Sequence, residues 1–197
     1  RQRWGFDMNA VELHARATPG FDERLAQTLA VLRNAARVHA GRIVQATSLG
    51  AEDMVITDLI ARHALPIAVA TLETGQLHPQ TVALIPRIEQ RYGLAVQVFR
   101  PVEASVVQFV ARHGERAMFD SIDLRKSCCA VRKLEPLSRM LGGMDAWVTG
   151  LRREQSAQRA EVPPSEIEAS GRIKFNPLSA WSWADVWHYI ETHDVPY

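Results

Sequence analysis

Cys128 and Cys129 are the only cysteines of the chain, and they sit side by side in Arg125-Lys126-Ser127-Cys128-Cys129-Ala130-Val131-Arg132-Lys133. Dense positive charge favours ionised sulfur, the form that attacks electrophiles and binds metals. The pair is not built to close a disulfide on itself. Adjacent Cα atoms lie about 3.8 Å apart, below the roughly 4.4–6.8 Å that an unstrained bridge spans. A metal centre is a serious reading, yet a tetrahedral sulfur site takes about four ligands and this chain offers two cysteines. Either further ligands lie beyond the chain end or the pair does something else. The chain starts at Arg1 without a methionine and stops at Tyr197, so both ends are expected to be cut relative to the natural protein.

Three other segments carry residues of chemical interest. Ser48-Leu49-Gly50-Ala51 leads into a helix expected to start near Glu52. Free amides and the positive end of a helix dipole make such a turn an anion site, and small residues let a phosphate approach. Asp53 in the first turn also has a plain role, since a carboxylate there complements the dipole. Leu72-Glu73-Thr74-Gly75 offers open backbone for a nucleobase or ribose. Arg152 and Arg153 share a polar loop with Gln155, Ser156 and Arg159, and guanidinium forks bind phosphate or sulfate bidentately. The histidines are less informative: His188 and His193 lack metal-ligand spacing, and His78 suits a surface or capping role.

Elements that would position these residues alternate along the chain. The stretch to about His39 reads as helical, with Leu25, Leu29 and Leu32 at helical spacing. Strands are expected at Ile43 to Ala46, Pro66 to Ala70, Ala95 to Phe99, Ala146 to Thr149 and Arg172 to Phe175. Helices are expected at Glu52 to His63, His78 to Tyr92 with a kink at Pro86, Glu103 to His113 and Ser182 to His193. Ser182 and Asp185 form a capping-box pattern, and Trp181, Trp183 and Trp187 read as core rather than as a base-stacking platform. The pattern predicts an α/β fold: a three-layer, mostly parallel sheet with helices on both faces, in one domain over residues 1–197. The three polar segments then fall at strand ends on one rim, where such sheets bind ligands.

Composition narrows the classes. The chain is 47% hydrophobic and 23% charged with a net charge of +1, which fits a globular protein and gives no reason to expect nucleic acid as a partner. No apolar run reaches the roughly 18 residues of a membrane span, and the start lacks an apolar leader core. With no secreted disulfide framework, a reducing cytoplasm is the expected compartment.

Taken together, the segments resemble the phosphoadenylyl-sulfate/adenylyl-sulfate reductase family. The matching pieces are Gly50 to Asp53, Leu72 to Pro79, Cys128 to Leu137, Trp147 to Ser156 and Lys174-Phe175-Asn176-Pro177-Leu178, in family order from about residue 43 to 197. The tandem cysteines followed by Arg132-Lys133-Leu134-Glu135-Pro136-Leu137 look like the iron–sulfur branch, whose usual substrate is adenosine 5′-phosphosulfate. The resemblance implies an adenine-nucleotide α-hydrolase-like fold and a [4Fe–4S] cluster held by Cys128, Cys129 and a later cysteine pair. It implies a tail cysteine that attacks the substrate sulfur, releasing AMP and leaving an S-sulfocysteine from which thioredoxin or a similar dithiol frees sulfite. By position, Ser48, Gly50, Ala51, Glu52 and Asp53 would cradle the phosphosulfate, and Leu72, Glu73, Thr74 and Gly75 the adenosine. Lys133 would reach the sulfate as the catalytic cation, and Arg152, Arg153 and Gln155 would close over the ligand. A homo-oligomer is the expected state.

Two local departures and one larger one accompany the match. Glu73 stands where the family usually has Asp, and Thr47-Ser48-Leu49-Gly50 is a mild variant of the first turn. The chain also stops before a second cysteine pair and a tail nucleophile. The alternatives are a 3′-phosphoadenylyl-sulfate reductase, an ATP pyrophosphatase of the same fold and a non-catalytic metal-binding module. The pyrophosphatase loop Ser-Gly-Gly-x-Asp-Ser is poorly matched by Ser48 to Asp53.

Overall fold

The computed structural model describes residues 10–155 and 161–197; Ser156 and Arg159 lie outside the described residues. The elements run α1 (Ala10–His14), α2 (Phe21–Val38), β1 (Ile43–Thr47), α3 (Ala51–Arg62), β2 (Ala68–Leu72), α4 (Pro79–Val82), α5 (Leu84–Tyr92), β3 (Val96–Phe99) and α6 (Glu103–His113). They continue with α7 (Ile122–Cys129), a π-helical turn (Ala130–Leu134), α8 (Glu135–Met140), β4 (Ala146–Val148), β5 (Ser165–Ile167), β6 (Ile173–Phe175) and α9 (Trp183–His193).

The six strands form one sheet in the order β3-β2-β1-β4-β6-β5. Every pairing is parallel except that of the edge strand β5 with β6. From β1 the chain builds outward through β2 to β3, then returns to lay β4 against the other side of β1. That reversal opens a crevice at the carboxyl ends of β1 and β4, the place where parallel sheets take ligands.

Side chains alternate along each strand and so divide the core in two. Ile43, Val69, Ala146 and Val148 pack into the larger layer under α2, α3, α5 and α9. Val44, Ala70 and Trp147 face the other way, toward Leu137, Met140 and Leu141 at α8. One inward polar residue aligns the layers: buried Gln45 donates to Asp53 O at 2.7 Å and accepts from Thr57 Oγ1 at 3.0 Å. This pair of bonds sets the start of α3 over β1.

Several details differ from the sequence expectation. The helix expected from His78 to Tyr92 is broken at Ala83, because Pro86 lacks an amide and its ring crowds the carbonyl four residues earlier. The N-terminal helical stretch is interrupted by Thr18-Pro19-Gly20, where Gly20 takes φ 77°. β5 was not anticipated; its three residues are all exposed and carry no burial pattern. The capping box of Ser182 and Asp185 is present. Trp181 and Trp187 are buried as expected, whereas Trp183 is partly exposed.

Candidate active site

The thiols sit at the end of α7, and the helical rod continues through the π-turn into α8. Cys128 is buried, Cys129 is partly exposed, and both are free. Arg125, Cys128, Cys129, Arg132 and Lys133 fall at i, i+3, i+4, i+7 and i+8, so a helical backbone turns them to one side. All five line a pocket of about 460 Å³, whose opposite wall is Thr74, Gln76 and Leu77. Further along the same rod, Lys133, Leu137 and Met140 line a second pocket of about 260 Å³ with Ala46, Thr47, Ser48, Leu72, Thr74 and Trp147. Lys133 therefore stands at the joint of the two.

The first predicted loop is held from within. Asp53 Oδ2 accepts from Ser48 N and Ser48 Oγ, both at 2.6 Å, while Leu49 N donates to Thr47 Oγ1 at 2.9 Å. Leu49 takes a left-handed φ of 64°, a strained conformation that turns the chain into α3. The first-turn amides of α3 have no acceptor within their own helix, which begins directly after the turn that ends β1. Burial pushes the Asp53 carboxyl above its usual range, against the lowering by the Ser48 donors. Asp53 Oδ1 is buried without a hydrogen-bond partner.

Gly150 closes the other side of the crevice. A Cβ there would meet Asp53 Oδ1 at 2.5 Å, Glu52 Cβ at 2.9 Å and Asp53 N at 3.1 Å, so only glycine fits. Just before it, Thr149 Oγ1 donates to Asn176 Oδ1 at 2.8 Å and Asn176 Nδ2 donates to Pro163 O at 3.0 Å. The Asn176 motif thus anchors the end of β4.

The structure brings Glu52, Arg152 and Gln155 together, with each other rather than in either pocket. Arg152 is buried; its Nε donates to Glu52 Oε1 at 3.0 Å and its Nη1 reaches Glu154 Oε2 and Trp181 O, each at 3.3 Å. Gln155 Nε2 donates to the same Glu52 oxygen at 3.1 Å. Arg153 Nε donates to Val162 O at 2.9 Å. These contacts latch the loop after β4 to the start of α3. His78 caps α4, its Nδ1 accepting from Gln80 N.

The turn after β2 is tethered on several sides. Glu73 N donates to Phe99 O at 3.0 Å, and Gly75 N donates to Glu73 Oε1 at 2.7 Å. Sequence reasoning passed over Arg132, whose Nη1 donates to Thr74 O at 2.7 Å across 58 residues of chain. The spacing of the rod residues was a usable signal. It was hidden because arginine, lysine and cysteine do not register as a hydrophobic stripe.

A mostly parallel sheet with an amide-rich turn, a backbone-lined turn and a cation at its topological reversal is an α/β architecture of the kind that takes ligands at strand ends. Residues 42–197 match the phosphoadenosine phosphosulfate reductase domain, and the chain belongs to that family. It is 50% identical over 156 residues to the adenosine 5′-phosphosulfate reductase of Allochromatium vinosum, covering 79% of this chain and 61% of the relative. It is 49% identical over 152 residues to the protein of that name from Burkholderia cepacia, covering 77% of this chain and again 61% of the relative. The chain therefore spans about 61% of the length of these curated relatives. A crystal structure of phosphoadenylyl-sulfate reductase from Candida auris, a phosphate complex, superposes with a TM-score of 0.72 at 30% identity, covering 93% of this chain and 90% of that one. Its fold is that of this chain.

No helix among the described residues is long and apolar enough to cross a membrane. Nor does any group of three or more His, Cys, Asp and Glu side chains gather there as a metal site.

Proposed function

We propose that this chain is the nucleotide-binding part of a thiol-dependent reductase that converts adenosine 5′-phosphosulfate to sulfite and AMP. The observation that carries the reading is Lys133, shared between the thiol-lined pocket and the pocket at the ends of β1 and β2. In this reading Leu72 to Gly75 hold the adenosine. The phosphosulfate lies along Ser48 to Asp53, with its sulfate toward Lys133, and the latched loop of Arg152, Arg153 and Gln155 borders the ligand. A thiolate attacks the sulfur, the S–O bond to phosphate breaks, and AMP leaves with the bond electrons. A dithiol reductant such as thioredoxin then releases sulfite from the S-sulfocysteine and becomes a disulfide. Lys133 stabilises charge that grows on the oxygens during that attack.

The resemblance to the branch with tandem cysteines supports an iron–sulfur centre as part of this reading. Cys128 and Cys129 suit two of its four thiolate positions: both line one pocket, and Arg125, Arg132 and Lys133 provide positive walls. A thiolate-ligated cluster supplies negative charge that these cations balance. A cytoplasmic homo-oligomer without nucleic-acid or membrane partners completes the proposal.

The test is direct. Full-length protein given adenosine 5′-phosphosulfate and reduced thioredoxin should release sulfite and AMP in equal amounts, and no sulfite would reject the reading. The likeness to the Candida auris enzyme favours, as second reading, the 3′-phosphorylated substrate. An equal or larger kcat/KM for that nucleotide would select it.

A further inference from the structure

We infer that Arg132 is a positioning residue, a clamp that fixes the adenosine turn to the cysteine-bearing rod and so sets the spacing between nucleotide and Lys133. The inference rests on the nucleotide reading above. Three observations carry it. First, Arg132 Nη1 donates to Thr74 O at 2.7 Å, a charge-assisted bond from the rod to the turn. The other contacts described for this turn come from its own residues and from the β3 side: Phe99 O, and Arg100, whose Nε lies 3.5 Å from Glu73 Oε2. Second, Gly75 is shaped around the clamp. It holds φ 72°, and a Cβ there would lie 3.1 Å from Arg132 Nη1. A side chain at this position would be strained and would push against the guanidinium.

Third, Arg132 and Lys133 both lie in the π-turn, one residue apart, and both line the thiol pocket. A π-turn takes more residues per revolution than an α-helix, so successive side chains diverge less around the axis. Arg132 can then grip the turn while Lys133 points into the joint between pockets. Moving the guanidinium off Thr74 would free the turn relative to Lys133 without removing any group proposed to touch the nucleotide.

The experiment measures AMP affinity by calorimetry on full-length wild type, Arg132→Ala, Arg132→Lys, Gly75→Ala and the Arg132→Ala/Gly75→Ala double variant. Thermal melts and iron content are recorded on each. Loss of one charge-assisted tether should weaken AMP about tenfold in Arg132→Ala. Arg132→Lys keeps a donor and should recover to within about threefold of wild type. Because both single changes loosen one contact, the double variant should bind about as poorly as either alone. Arg132→Ala within twofold of wild type would overturn the clamp, as would single effects that multiply in the double variant. Should Arg132→Ala fail to fold, Arg132→Lys and Gly75→Ala decide: no loss in Gly75→Ala, or no recovery in Arg132→Lys relative to it, rejects the clamp. Wild type that binds no AMP rejects the nucleotide reading itself, a result distinct from failure of the clamp.

Discussion

Lys133 is a single ammonium on the wall common to two pockets, and its position states what its loss should do. A cation that meets charge developing on transferred sulfate oxygens acts on the transition state more than on bound nucleotide. Lys133→Ala should therefore lower kcat about 10²–10³-fold while changing AMP affinity by less than about threefold. Steady-state sulfite release beside AMP calorimetry separates the two effects, and unchanged kcat would remove Lys133 from the chemistry. Gly150 makes a stricter geometric demand. A methyl group there would stand 2.5 Å from Asp53 Oδ1 and 2.9 Å from Glu52 Cβ, inside contact distance. Gly150→Ala should cost about 1–3 kcal/mol of unfolding free energy, read from urea midpoints, because strand end and helix start must separate. The sequence showed that Gly50 to Asp53 and Gly150 belonged to polar turns at strand ends. That Gly150 would meet Asp53 depends on segments about 100 residues apart in sequence, whereas the Asp53–Ser48 brace is local to one turn. A like distance separates Arg152 from Glu52, one of the partners on which its buried guanidinium is spent.

At the level of elements, the rod from Ile122 to Met140 is the part that the sequence concealed best. Its pocket-lining side is cationic and sulfur-bearing, so hydrophobic periodicity gave no helix there. In the fold Pro136 follows directly on the π-turn, whose widened backbone accommodates a residue without an amide inside a continuing rod. The strands fared better: β1, β2, β3, β4 and β6 were all legible as short apolar runs, since buried parallel strands advertise themselves that way. The rod also makes a prediction of its own. Cys128 and Cys129 occupy one helical side among Arg125, Arg132 and Lys133, so both thiolates would bear on a single centre. Cys129→Ser in full-length protein should reduce bound iron to near background while the secondary structure, read by circular dichroism, stays as in wild type. Iron content equal to wild type would exclude that ligand.

The molecule as a whole is tied together by a carboxylate remote from the pockets. Asp58 of α3 is fully buried and accepts from Tyr92 Oη of α5 at 2.8 Å, Tyr189 Oη of α9 at 2.7 Å and Arg62 Nε at 3.0 Å. Burial alone would push its carboxyl up, but the Arg62, Tyr189 and Tyr92 donors together hold it below the usual range. Asp185 behaves likewise: burial opposes, and donors from Ser182 and Thr18 prevail. A carboxylate depressed in the folded state contributes stability above its unfolded value, about pH 3.9, and loses it as pH falls through the folded value. Burial also lowers His193, so stability is withdrawn as pH drops below about 6.5, where the unfolded imidazole takes a proton. Tyr92 and Tyr189 are pushed up by burial and by Asp58, which adds a loss above about pH 10 as unfolded phenols ionise. Asp53 runs the other way, since its raised carboxyl makes ionisation unfavourable in the fold and acid relieves that. Asp58→Asn removes the charge but leaves Arg62 and two phenols in place, and should cost about 2–4 kcal/mol near pH 7. Urea midpoints from pH 3 to 8 would test this against wild type. The gap between the two proteins should narrow below about pH 4, where the unfolded wild-type carboxylate takes up a proton that the folded one still refuses. A gap that stays constant down to pH 3 would mean that the ionised form of Asp58 does not hold the three helices together.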